Sequence, residues 1–264
     1  FAAAEALAPH DAAQSQGQPR AVALMAGSLI DRLTGVRMIG TPPGAAIIAA
    51  LQANAHHTEP AIQAAALRVL IDAGSEAVPF DLLTDVVDSR DPAVRRLAVE
   101  GAALHPTQDA VQFAFARLND PHPDVRDRAA VSLLALAETS ELDPVIRTRL
   151  TRSITTINQS DDADRARRWG EAEQLARLAH QLDHKPAAVG LTRFYDHPRT
   201  EVAIAAVKAV RDLDVPETRP ATVSLMRELI ERSPNKKPSS DPYASDAQRA
   251  AAATQWRLFT ELAE

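Results

Sequence analysis

A motif that starts a helix recurs at nearly constant spacing, and this repeat constrains the fold more than any other feature of the sequence. A proline opens an apolar, alanine-rich segment three times, at Pro60, Pro92 and Pro123, with spacings of 32 and then 31 residues. Proline suits the first position of a helix, because its missing N–H would have had no intrahelical partner there, and Asp91 can cap the same turn. A fixed period of this length predicts stacked helical hairpins.

The residues that follow each proline share one helical face. Counting from the β-branched residue of each motif, the positions four, five and eight residues later are small or apolar in all three copies. They lie on one side of a helix, where small alanines allow close helix packing, so we expect Val94 and Val125 to be buried between paired helices. The residues two and six positions after the β-branched residue face away from the paired helix. These outward positions are Ala64, Arg68, Arg96, Glu100, Asp127 and Val131.

Further helical segments fill the intervals between these three helices. They are expected at about 44–54, 76–88, 107–119, 144–158, 162–182 (one long helix), from His197-Pro198 onward, 217–233 and 246–264. Residues 1–18 are expected to form a tail, and a helix at about 19–34 to cap the N-terminal end. The predicted fold is therefore an all-α solenoid of about six helical hairpins, forming a single domain over residues 19–264.

Two segments carry a resemblance to a known family. Residues 91–98 and 123–130 resemble the second helix of HEAT-like repeats, in the variety also found in bacterial phycobilin lyases. The resemblance implies a right-handed superhelix of hairpins, with the second helices lining a concave surface. In that family an Asp and an Arg of neighbouring repeats often pair in a ladder, and Asp91 and Arg95 occupy the matching places. The Leu-Gly pair that often ends such a repeat is missing from this chain.

Composition excludes several classes of function. The chain has 29 Lys and Arg against 35 Asp and Glu, a net charge of -6, so no overall field attracts nucleic acid or an anionic membrane. It has no cysteine, which excludes a disulfide framework, a thiolate metal site and a cysteine nucleophile. The longest apolar runs, such as residues 45–51, are far shorter than the roughly 20 residues that cross a bilayer.

Motif searches identify no catalytic, cofactor-binding or metal-binding residue. The sequence lacks a phosphate loop, a dinucleotide-binding turn, a nucleophile elbow and a His-Glu-x-x-His zinc helix. His180 and His184 are four residues apart and could present two metal ligands on one helix face. We favour interpreting them as solvent-facing histidines near a helix end, where positive charge is favourable. We therefore predict no cofactor and no metal, and favour a non-catalytic protein.

An arginine-rich region is the main electrostatic irregularity. Six arginines between residues 147 and 168, offset by three aspartates, leave a local charge of +3. This region could bind an anion or an acidic partner with Trp169 as an aromatic anchor, or it could be a solvated helix face with Trp169 filling the core. The candidate partner-binding residues, from this region and from the outward positions, are Arg68, Arg96, Glu100, Asp127, Arg165, Arg168 and Trp169.

The functional interpretation that we favour is a non-catalytic scaffold that binds a protein partner on the concave surface. One alternative is a lyase-like factor for a bilin or other prosthetic group, which only the resemblance implies. Another is a HEAT-like DNA-binding or base-excising protein, which the net charge of -6 disfavours.

The predominance of Arg over Lys, beside abundant Ala, indicates a bacterial source. Phe1 is not an initiating Met, so we expect a processed or excised chain, with the cytoplasm favoured and the periplasm or secretion left open.

Overall fold

The computed structural model describes residues 44–232, together with Ala253 and Thr260. The predicted tail at 1–18, the helix at 19–34 and, apart from those two residues, the helix at 246–264 lie outside the described residues. The described chain forms helices and turns, with no strand, and this confirms the predicted all-α solenoid class. The assignment of residues 19–264 to one domain stays a prediction.

The α-helices of the described residues follow the order expected for successive hairpins. They are α1 (Ala45–Ala55), α2 (Pro60–Ala73), α3 (Phe80–Val86), α4 (Pro92–Ala102), α5 (Gln108–Arg117), α6 (Pro123–Ala137), α7 (Asp143–Gln159), α8 (Asp162–Arg167), α9 (Trp169–Gln181), α10 (Ala188–Leu191), α11 (Thr200–Leu213) and α12 (Arg219–Arg232). Short 3-10 helices occupy Lys185–Ala187, Thr192–Phe194 and Pro216–Thr218. Within residues 44–232, each helix is too short or too polar to cross a membrane.

The three repeated prolines begin helices, as predicted. Each is the first residue of its helix, in α2, α4 and α6. In α4 the carboxylate of Asp91 accepts the N–H of Ala93 at 2.7 Å, which confirms the predicted cap. In α6 the same place is taken by His122, whose Nδ1 accepts the N–H of Asp124 at 3.3 Å. The helix starts are therefore fixed by local chemistry that the sequence shows directly.

An arginine in the first turn of α4 and another in the first turn of α6 bind the loop before their helix. Arg95 Nη1 donates to the carbonyls of Ser89 at 2.9 Å and Arg90 at 3.2 Å. Arg126, at the equivalent position of α6, donates to the carbonyls of Asp120 at 2.9 Å and Pro121 at 3.2 Å. Because backbone carbonyls in a tight loop need donors, this repeated contact stabilises the connection between successive hairpins.

The buried face of the repeated helices follows the predicted spacing. The reference residue and those four and eight positions later are all buried: Ile62, Ala66 and Leu70 in α2, Val94, Ala98 and Ala102 in α4, and Val125, Ala129 and Leu133 in α6. At Gly101 the helix backbone lies so close to Leu83 that an added Cβ would be 2.8 Å from the Leu83 side chain. Small residues on this face therefore set the distance between helices.

The described residues divide into two compact units. The first extends as far as Arg117 and also includes Val131–Leu133 from the middle of α6. There, Ser132 Oγ donates to the carbonyl of Val99 in α4 at 2.9 Å. The second unit consists of Leu118–Ala130 and the residues from Leu134 onward. Its core includes the packed faces of α9 and α11.

Two predicted helices differ from those observed. The helix expected at 76–88 begins only at Phe80, because Pro79 has an extended backbone (ψ 146°) and, as proline, cannot donate within a helix. The single helix expected at 162–182 is wrong: it is interrupted at Arg168 (φ -88°, ψ 19°), which separates α8 from α9. Gly170 lies two residues later, and its low helix propensity disfavours a continuous helix at this point.

Candidate functional site

The outward positions of the repeated helices lie at the surface to different extents. Asp127 and Val131 of α6 are exposed, while Arg68 of α2 and Arg96 and Glu100 of α4 are partly exposed. The same counting applied to α11 starts from buried Val202 and places Ile204 and Lys208 outward. The repeat register therefore extends to a helix whose sequence no longer matches the motif closely.

In the first unit, the predicted charged residues bind one another. Arg68 donates to both carboxylate oxygens of Glu100, at 2.7 and 3.2 Å, and lies 3.9 Å from Asp72. Arg96 approaches the same Glu100 at 3.8 Å. The hydrogen bond to Glu100 raises the pKa of Arg68 above its ordinary value. Three of the seven predicted residues thus form one network across α2 and α4.

In the second unit, Asp127 contacts α9 rather than standing free. Its carboxylate accepts a hydrogen bond from Gln174 Nε2 at 2.6 Å and lies 3.8 Å from Arg177. Arg177 also binds Glu173, one turn earlier in the same helix. These α9 residues were not predicted as a site, because α9 lacks the proline start from which the outward positions are counted.

A groove of about 420 Å³ lies in the second unit between α9 and α11. Its floor is apolar, with Ile204, Ala205 and Ala209 from α11, and its rim is polar and largely charged. The rim residues are Glu173, Arg177, His180 and Gln181 from α9, and Glu201 and Lys208 from α11. A concave site with an apolar floor and a few convergent polar groups can bind a side chain or a short segment of a ligand. The signal available in the sequence was the register of α11, which places Ile204 and Lys208 outward.

At one end of the groove a histidine lies close to a carboxylate. His180 Nδ1 lies 3.6 Å from Asp212, just beyond the rim residues of α11. A hydrogen bond from Arg211 is the main cause that lowers the pKa of Asp212, with His180 and Lys208 adding to the effect. This carboxylate is therefore ionised at neutral pH and holds positive groups near the rim.

The structure separates the two histidines that could have formed a metal site. His180 is exposed on α9, whereas His184 follows the end of that helix and is buried, with its Nε2 2.8 Å from Thr151 Oγ1. The interpretation of both as solvent-facing is wrong for His184. Burial, with Arg147 nearby, lowers the pKa of His184. Over the described residues, no cluster of three or more potential ligands has the geometry to hold a metal ion.

The predicted arginine-rich region is extensively bound within the chain. Arg168 makes a two-pronged contact with Glu171, at 2.8 and 2.9 Å, and Arg165 Nη2 donates to the carbonyl of Arg193. Trp169 is partly buried and stacks against two guanidinium groups, Arg126 at 4.6 Å and Arg199 at 5.4 Å from the ring centre. Trp169 therefore sits at a cationic cluster rather than within an aliphatic core.

A match to a known repeat family agrees with the helical repeat seen in the sequence and the structure. Residues 80–169 match the family model of HEAT repeats, so the chain carries HEAT-like repeats over this stretch, which spans α3 to α8. No curated protein matches the chain.

Several solved structures are similar at low identity. A structure of human deoxyhypusine hydroxylase in complex with glycerol is 12% identical, with a TM-score of 0.41, and the match covers 93% of this chain and 96% of that one. Two engineered proteins are 13% and 14% identical, with TM-scores of 0.39 and 0.31. Their matches cover 99% and 98% of this chain and 67% and 97% of theirs. These similarities do not bear on function.

Proposed function

We propose that this protein is a non-catalytic interaction scaffold that binds a protein partner through the surface of its second helices, with the groove between α9 and α11 as the principal contact. The groove is the observation that carries the proposal. It combines an apolar floor at Ile204 and Ala205 with a charged rim, the arrangement found at the centre of protein interfaces. HEAT-like repeats supply a suitable framework, because stacked hairpins hold such surfaces rigidly.

The rim favours a partner segment that presents an apolar side chain next to an acidic one. Lys208 and Arg177 both line the groove, so a partner carboxylate can face Lys208 or compete for Arg177 with Glu173 and Asp127, while the apolar side chain packs on Ile204. Glu201, on the same rim, disfavours a partner that carries negative charge throughout. The groove thus selects a pattern of charge rather than one sign.

The predicted residues of the first unit play a smaller part in this proposal. Arg68, Arg96 and Glu100 already satisfy one another, so a partner must compete with these contacts to bind them. Asp127 and Arg177 extend the proposed surface from α9 to α6. Nothing in the described residues favours binding of a bilin or of DNA. Visible absorbance of the purified protein would support the bilin alternative, and binding of duplex DNA would support the other.

The test is quantitative capture of partners from the source cell by the wild type and two matched double variants. Ile204→Asp with Lys208→Glu changes the groove, whereas Arg68→Gln with Arg96→Gln removes charge from the first unit without creating repulsion around Glu100. We expect the groove variant to weaken capture of a specific partner at least about tenfold, as loss of a central contact does. The first-unit variant should weaken it less.

Thermal melting of each variant provides the control for folding. Arg152→Gln changes an exposed arginine outside the groove and should leave capture unchanged. If a folded groove variant captures the same partners as the wild type, the groove is not the contact surface. If all variants capture equally, the scaffold proposal itself is contradicted for this surface.

A further inference from the structure

A buried arginine in the second unit lacks the partners that such a charge usually has. Arg126 is only 5% exposed, and its Nε is buried with no hydrogen-bond partner. Its Nη1 donates to two loop carbonyls, but no described carboxylate forms an ion pair with it. Because burying a charge without a counter-charge is costly, this arrangement requires an explanation.

Comparison with the preceding repeat shows which contacts of Arg126 belong to the repeat. Arg95 occupies the same position in α4 and makes the same two carbonyl contacts, so those contacts belong to the repeat. Arg126 also lies against Trp169, whose ring centre is 4.6 Å from its guanidinium carbon. Trp169 is therefore part of the surroundings of this buried guanidinium group.

The start of α9 is shaped around this guanidinium group. Trp169 and Gly170 are the first two residues of α9, and no side chain caps this helix end. A Cβ at Gly170 would lie 2.5 Å from Arg126 Nε, so only glycine allows the arginine to lie against the first turn. The free N–H groups of a first turn create positive potential, which adds to the charge of Arg126.

A second guanidinium group reaches the same tryptophan from Arg199, the residue just before α11. Arg199 is exposed, and its guanidinium carbon lies 5.4 Å from the centre of the Trp169 ring. Buried His197 accepts the N–H of Arg199 on its Nδ1 at 3.1 Å, which fixes the backbone that carries this arginine. The acidic residues closest in sequence to Trp169 are already bound, Asp164 by Arg167 and Arg168, and Glu171 by Arg168.

We propose that Arg126, Arg199 and the first turn of α9 form a binding site beside Trp169 for an oxyanion, either a carboxylate or a phosphate group. The planar guanidinium groups match the geometry of such anions, and a helix N-terminus supplies further N–H donors. Exposed Arg199 gives the anion access from solvent, and buried Arg126 supplies charge that is not neutralised by the protein. This site lies outside the groove and does not depend on the scaffold proposal.

The test uses the emission of Trp169 in the full chain. The protein has two tryptophans, so Trp256→Phe leaves Trp169 as the single reporter. We titrate this variant with inorganic phosphate and, separately, with malonate, at constant ionic strength maintained with chloride. We expect a saturable change in emission, and Arg199→Gln should weaken it at least about tenfold, since a hydrogen bond to a charged group is lost.

The controls separate a specific site from general charge effects. Arg152→Gln removes one exposed arginine elsewhere and should leave the titration within about twofold of the parent, as expected for a remote surface charge. A response to phosphate or malonate that Arg199→Gln abolishes supports the site, and the anion that responds identifies the source of the oxyanion. The proposal is overturned if neither anion gives a saturable response, or if Arg199→Gln responds like the parent. Thermal melting with each anion gives a second measure of binding that does not depend on fluorescence.

Discussion

Helices α2 and α4 of the first unit and helices α9 and α11 of the second present outward charges in different ways. In the first pair the outward residues bind across neighbouring helices, as Arg68 does with Glu100. In the second pair α9 begins after an interruption rather than at a proline, and its charges form the rim of a groove with Lys208. Charges are satisfied within the chain in both pairs, since Arg177 binds Glu173 and lies near Asp127. The difference is that a groove opens between the two helices where α9 departs from the repeat.

The largest expected effect tests whether both regions share one buried register. Val94 of α4 and Val202 of α11 are both fully buried at the reference position. Replacing either with Asp places a charge in the core, and we expect each change to lower the free energy of unfolding by about 4 kcal/mol or more. Denaturant unfolding measures this. The control is Val131→Asp on the outward face of α6, where the side chain is 50% exposed.

The control should melt within about 1 kcal/mol of the wild type, because its charge stays in solvent. If Val202→Asp behaves like Val131→Asp while Val94→Asp unfolds the protein, then α11 does not follow the repeat register. The comparison between the two regions would then rest on an incorrect alignment.

A pH dependence of intermediate size should come from the second unit. Burial lowers the pKa of both His184 and His197 in the folded protein. The unfolded chain therefore binds more protons once the pH falls below the ordinary histidine value of about 6.5. Stability should be fully present above that value, decline as the pH falls through it, and stop declining below the folded pKa values.

Unfolding measured from about pH 8 to pH 5 tests this, with His184→Gln as the matched variant. The glutamine keeps a polar group near Thr151 but does not titrate, so the dependence on pH should become shallower. An unchanged slope in His184→Gln would show that His184 does not contribute to it.

The smallest expected effect concerns the charge network of the first unit. A double-mutant cycle with Arg68→Gln and Glu100→Gln should give a coupling free energy of under about 1 kcal/mol, since the Arg68 side chain is 39% exposed and solvent screens the pair. The coupling should decrease with added salt. A coupling several times larger would mean that this network stabilises α2 against α4 as strongly as the core does.

Much of the fold was predictable because its causes are local. The prolines at 60, 92 and 123 begin helices for a reason contained in proline itself, and Asp91 caps its helix with a short-range hydrogen bond. The prediction that Val94 and Val125 are buried follows from the spacing of residues on a helix, and both are fully buried. The interruption at Arg168 was missed, because the alanine and leucine pattern continues through it without a change of period.

The candidate site was less predictable because its causes are long-range. The outward residues Arg68, Arg96 and Glu100 were found by counting, but counting gives no information on which charges pair. The contacts of Arg126 and Arg199 with Trp169 join segments up to 43 residues apart in the sequence, from Arg126 to Trp169. The groove likewise requires α9, which has no starting motif from which to count.

The arginine that organises its own preceding loop has a consequence for how such a chain can change in evolution. Arg95 and Arg126 each bind carbonyls only five and six residues earlier, so the loop contact and the helix are inherited together. A tandem duplication of the 31 residues from one proline to the next keeps this contact, because the copied helix again follows an equivalent loop. Loss of a unit removes it without leaving an unbound arginine behind. The array can therefore lengthen or shorten by whole units, while a deletion that separates a helix from its own loop is strongly disfavoured.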